Sequence, residues 1–176
     1  MRNFALLIIV SLLLCTFQRC TVTASFTEGR ILGKNFAIAP FKNEAALAQS
    51  SFTQNLMDGL RMKIINESNL KYVDKFDSAT YLFKGTILQY DVTPISATNG
   101  TAASMARLTV KVDITCDTNY GGAKNAFIKK PYTEYSDFSA SETFSSIEET
   151  LMKDIINKIT QQIYLDLLAA SSKKDD

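Results

Sequence analysis

The nine residues 108–116, LTVKVDITC, alternate without a fault. Leu108, Val110, Val112, Ile114 and Cys116 are apolar or thiol, while Thr109, Lys111, Asp113 and Thr115 are polar. A strict period of two places the first set on one face of a strand and the second on the other, so one face belongs to a core and the other meets water. Such a half-wet strand needs neighbours on both sides. Residues 80–93, TYLFKGTILQYDVT, supply a long strand before it, with its alternation broken around Gly85 in the manner of a bulge. Residues 127–138, FIKKPYTEYSDF, supply the returning strand after the Gly-Gly pair of NYGGAKN, 119–125, and Pro131 places that strand at an edge or bulge.

Outside this hairpin the period changes to that of a helix. Phe52, Leu56, Leu60 and Ile64 recur every four residues, and so do Ile147, Leu151, Ile155, Ile159, Ile163 and Leu167. Each stripe makes one face of a helix apolar. The spacing predicts a helix of about four turns that ends near residues 66–69, and a long one from about Ser145 to Ala170. Ser51 with Gln54, and Ser145 with Glu148, have capping-box spacing. The short runs FAIAPF, 36–41, and LKYVD, 70–74, read as strands flanking the first helix, and such a strand-helix-strand unit is parallel when both strands lie in one sheet. The expected fold is α+β: a two-layer sandwich with two amphipathic helices on one face of a mixed, mostly antiparallel sheet of about four to five strands.

The first nineteen residues follow another logic. Arg2 precedes an apolar run from Phe4 to Leu14 that is too short to span a bilayer, which reads as an export signal. Cys15 and Cys20 both follow it closely and both are candidates for lipid attachment. Cys20 is favoured because Cys15 lies against the apolar run. The expected organisation is a lipoprotein-type signal peptide over 1–19, one domain over 20–170 and a polar tail over 171–176. With Cys20 acylated, Cys116 is left as a sole thiol with no internal disulfide partner.

Composition narrows the chemistry. The 176 residues contain no histidine and no tryptophan. That removes histidine general-base catalysis, Ser-His and Cys-His nucleophile pairs and most catalytic zinc sites, so no enzyme, metal or cofactor is expected. Without residues 1–19, 17 basic residues face 18 acidic ones, which gives no basic footprint for nucleic acid. GRILGKN, 29–35, is one residue short of a phosphate-binding loop and precedes a strand rather than a helix. Glu148 and Glu149 read as acids that offset a helix dipole. Lys84, Arg107 and Lys111 lie on strands whose outer faces are free to meet an anionic ligand. The connection PISATNGTAAS, 94–104, with Pro94, Thr98, Asn99 and Gly100, reads as a small polar loop suited to a partner.

Taken in order, SFTEG after Cys20, the strand ending in PFKN, SFTQNLMDGLRMKI, NLKYVD, FKGTILQYDVTPISAT, ARLTVKVDI, YSDFSASETFSSIEE and the closing apolar helix resemble the lipopolysaccharide-assembly lipoprotein family, LptE. The most distinctive block is G-x-I-x-x-Y-x-V-x-P at Gly85, Ile87, Tyr90, Val92 and Pro94. The resemblance implies lipidation at Cys20 and a periplasm-facing domain anchored to the outer membrane. It also implies a place inside the lumen of the LptD β-barrel, as plug and assembly partner, in contact with lipopolysaccharide. The competing reading is a stand-alone, lipid-anchored binding module for an amphiphile or a glycan.

Overall fold

A computed structural model of the chain describes residues 31–95, 105–119 and 125–172. The chain runs through β1 (Asn35–Ile38), β2 (Lys42–Asn43), α1 (Ser50–Glu67), β3 (Lys71–Tyr72), a single 3-10 turn (Phe76–Ser78), β4 (Tyr81–Ile95), β5 (Met105–Thr118), β6 (Asn125–Ser139) and α2 (Phe144–Ser172). The six strands form one sheet in the order β3-β1-β4-β5-β6, with β2 also paired to β4. β4, β5 and β6 are antiparallel, whereas β1 runs parallel to both β3 and β4, so the unit β1-α1-β3 has the parallel pairing expected of it. The sheet has one strand more than the upper expectation, because the two-residue β2 is too short to carry a pattern of its own.

The alternation in β5 is realised in full. Leu108, Val110, Val112, Ile114 and Cys116 are wholly buried, and they join Phe52, Leu56, Leu60 and Ile64 of α1 and Ile155, Ile159, Ile163 and Leu167 of α2 in one cluster. Each such side chain contributes roughly 1.5–3 kcal/mol by leaving water. The helices also touch one another: a Cβ on Gly59 would lie 2.7 Å from Ile156 Cγ2, so only glycine permits this approach. Gln49, at the start of α1, bonds Glu148 near the start of α2, and Tyr164 of α2 donates to Glu67 O at the end of α1. The two helices therefore run in the same direction.

The break in β4 lies three residues later than the sequence suggests. Gly85 pairs regularly with Ile114, and the register shifts between Ile87 and Gln89, leaving Leu88 as the extra residue. This bulge moves the inward positions from 85 and 87 to 90 and 92, which is why Ile87 and Tyr90 are three apart yet both buried. Gly85 has its own cause: the Phe41 ring lies 2.8 Å from where its Cβ would be. The 94–104 connection is also shorter than expected. β4 continues through Pro94, which pairs with Ala106, so Pro94 is a strand residue, while Thr98, Asn99 and Gly100 lie outside the described residues. Similarly, α2 continues to Ser172, two residues into the segment read as a tail.

Neither capping box forms. α1 starts two residues earlier than the box requires, with Gln49 at the cap and no side-chain capping bond, and Ser51 Oγ instead meets Gln49 Oε1 at 3.4 Å. α2 starts at Phe144, which puts Ser145 inside the helix and Glu148 beyond its first turn. There Ser146 Oγ donates to Thr143 O at 2.7 Å, and Glu148 is free for other work.

β6 is the long edge of the sheet and is guarded. Pro131, opposite Asp113, has no N–H to lose, and Lys158 Nζ of α2 donates to the carbonyl of Tyr135 at 3.0 Å. Both devices hinder pairing by a foreign strand. No helix among the described residues is long and apolar enough to cross a membrane.

Candidate functional site

The outer face of the sheet collects the polar positions of β4, β5 and β6, and it holds all three basic residues singled out from the sequence. Two of them are already engaged. Lys84 Nζ lies 2.7 Å from Asp117 Oδ2. Arg107 donates through Nε to Asp137 Oδ1 at 2.6 Å and through a terminal nitrogen to Asp137 Oδ2 at 2.8 Å, and its guanidinium stands 3.7 Å from the centre of the Tyr135 ring. The fork is filled from one side and the plane from another. The hydrogen bond from Arg107 holds the Asp137 carboxyl below the usual carboxylate range, and the same bond raises Arg107 further.

Lys111 differs. It lies at the middle of the three-strand face, between Gln89 on β4 and Thr133 on β6, and has no ion-pair partner among the described residues. The sequence thus groups the three cations correctly on one face, but only Lys111 is free to meet an external anion without breaking a bond. Asp91 and Asp113 share the face, so it is electrically mixed and rich in threonine.

The end of the sheet where β4 finishes and both helices begin carries a cluster that pattern reading does not isolate. The Tyr90 hydroxyl donates to Glu148 Oε1 at 2.8 Å, and Gln49 Nε2 reaches the two oxygens of the same carboxylate at 3.3 and 3.2 Å. Phe52 stacks edge-on against the Tyr90 ring, 5.3 Å between centres. Burial first, and then the hydrogen bond to Glu148, push the Tyr90 phenol above its ordinary value, so it stays a donor. The only trace of this clasp in the sequence is the offset of Tyr90 within the G-x-I-x-x-Y block.

The opposite end fixes the start of the described chain. Asn69 receives the Ile31 N–H on Oδ1 at 3.1 Å and returns a bond from Nδ2 to the Ile31 carbonyl at 3.2 Å. Tyr81 donates its hydroxyl to Leu32 O. Gly33 follows with φ of +123°, a conformation costly for any other residue, and Asn35 Oδ1 accepts from both the backbone N–H and the hydroxyl of Thr80 at 2.8 and 2.9 Å. This is the role of the GRILGKN stretch within its described part: it is a strap. Cys20 lies outside the described residues. Cys116 is buried, and desolvation raises its thiol far from reactivity.

Three solved structures show the same fold. A rare lipoprotein B from Shewanella oneidensis matches with a TM-score of 0.55 at 12% identity, covering 80% of this chain and 99% of that one. A lipoprotein B from Nitrosomonas europaea matches at 0.53 and 16%, covering 84% and 88%. A minor lipoprotein from Acinetobacter baumannii matches at 0.51 and 15%, covering 77% and 93%. No curated protein matches the chain. The model of the LptE family, lipopolysaccharide-assembly, matches residues 33–167, from the strap glycine to the last buried leucine of α2, and the chain belongs to that family.

Proposed function

We propose that the chain is a non-catalytic, outer-membrane lipoprotein subunit of the lipopolysaccharide translocon. In this reading residues 1–19 are a signal peptide and Cys20 carries the lipid. The domain then faces the periplasm and sits in the lumen of the LptD β-barrel as plug and assembly partner, assisting lipopolysaccharide insertion into the outer leaflet. The observation that carries the proposal is the family match over residues 33–167. The outer sheet face supports it physically. Barrel lumens are polar, and a plug that pairs Lys84 with Asp117 and Arg107 with Asp137 brings those four charges into one already matched. Lys111 is the first choice for contact with lipopolysaccharide phosphate, ahead of Lys84 and Arg107. The connection after Pro94, with Thr98, Asn99 and Gly100, is the segment assigned to the partner.

Affinity purification of the tagged chain from native outer membranes in mild detergent tests this. A large β-barrel should co-elute at a one-to-one ratio. Elution of the chain alone would sink the barrel partnership and favour the stand-alone binding module. Depletion of the protein in its host should lower surface lipopolysaccharide and leave the barrel incompletely matured; normal levels of both would refute the translocon role.

A further inference from the structure

Between α1 and α2, on the side away from the sheet, runs an open groove of about 540 Å³. Its base is set by the contact of Gly59 with Ile156, which draws the helices together beneath it. Both helices contribute side-chain amides to its walls: Asn66 from α1, and Asn157 and Gln161 from α2. None of these three amides makes a hydrogen bond among the described residues. Met62, half exposed at 51%, adds an apolar stretch beside them.

The charge of the groove selects among ligands. Two lysines line it, and the ammonium groups of both are already engaged. Lys63 Nζ is held by Glu67 at 2.6 Å, and Lys158 Nζ is turned toward β6, where it is held by Asp154 at 2.6 Å and the Tyr135 carbonyl at 3.0 Å. The hydrogen bond from Lys158 keeps the Asp154 carboxyl below its ordinary value, as expected of an engaged pair. A phosphate or carboxylate therefore finds no free cation here. What remains is a neutral concavity with planar amides on both sides, each offering a donor and an acceptor together, beside a thioether surface. That combination matches the alternating hydroxyls and C–H faces of a pyranose, and the volume accommodates a small oligosaccharide.

We infer that this inter-helix groove binds an uncharged saccharide, with Asn66, Asn157 and Gln161 as its hydrogen-bonding residues. The inference rests on the lipopolysaccharide reading only for the source of the sugar; the site is distinct from the Lys111 face. The side-chain amide groups report directly in ¹H–¹⁵N correlation spectra, so the full chain in mild detergent can be titrated with lipid-free oligosaccharide released from lipopolysaccharide by mild acid and then dephosphorylated and carboxyl-reduced, so that it carries no charge. The expected result is saturating shifts of the Asn66, Asn157 and Gln161 side-chain signals, with affinity falling at least tenfold in an Asn157→Ala/Gln161→Ala variant of unchanged melting temperature. Shifts confined to the outer sheet face around Lys111 would overturn the groove and leave the lipopolysaccharide reading standing. An absence of shifts anywhere would overturn the groove as well, and the co-purification experiment then judges the translocon reading by itself.

Discussion

The two ends of the sheet are closed by different chemistry. At the end where β1 and β4 begin, neutral side chains bind backbone: Asn69 brackets Ile31, Tyr81 reaches Leu32 O and Tyr164 reaches Glu67 O. At the end where both helices begin, Tyr90 and Gln49 converge on one carboxylate, Glu148. Because the helices are parallel, both begin there, and this one carboxylate ties the start of α1 to the end of β4 through its hydrogen bonds. The first end is thus fixed by geometry, and the second by a charge.

This contrast can be broken from its stronger side first. Tyr81 is 1% exposed, and Tyr81→Ala should empty a cavity and release the strap together. A loss of about 3–5 kcal/mol in urea unfolding is expected. Asn69→Ala leaves the buried Ile31 N–H and C=O unpaired and should cost about 2–3 kcal/mol, with faster hydrogen exchange at the Ile31 amide while the Tyr90 end stays protected. Equal loosening of both ends would mean that they are a single unit. Glu148→Ala should cost about 1–2 kcal/mol, and Glu148→Gln less, because an acceptor oxygen remains for Tyr90.

The smallest effect concerns the outer face. The Asp137 carboxyl is depressed by Arg107, so its contribution is present above the unfolded carboxylate pKa, near 4, and is lost as pH falls through the lower folded value. Thermal melts of wild type and Asp137→Asn should differ slightly at pH 7, with the gap starting to narrow only below about pH 4 and closing at more acid pH. A gap that persisted in acid would show that the pair acts by packing on Tyr135 rather than by charge.

Elements defined by a long repeat were legible in the sequence. The β5 alternation and the α2 stripe predict burial residue by residue, since each position is fixed by the same period. Features that depend on contacts between distant segments were not. Phe41 explains Gly85, and it lies 44 positions away, so the local reading took a packing glycine for a bulge. The real bulge at Leu88 was visible only as the odd spacing from Ile87 to Tyr90. Capping boxes were misread because starts two residues earlier moved Ser51 and Ser145 inside their helices. At the candidate site, strand parity placed Lys84, Arg107 and Lys111 on one face, but the occupation of two of them by Asp117 and Asp137 follows from register.

The order β3-β1-β4 also bears on how the chain reaches this state. β1 pairs with β4 through Phe36 and Tyr81, and with β3 through Phe36 and Tyr72. Until Tyr81–Ile95 has been made, residues 35–72 have no long strand to lie against, and α1 has no sheet to cover. The meander of β4, β5 and β6 has neighbours adjacent in sequence, and its loops close at low entropic cost. The later half of the chain is therefore the natural nucleus, and the half synthesised first must wait for it with Phe36, Phe52 and Leu56 exposed to whatever chaperone holds them.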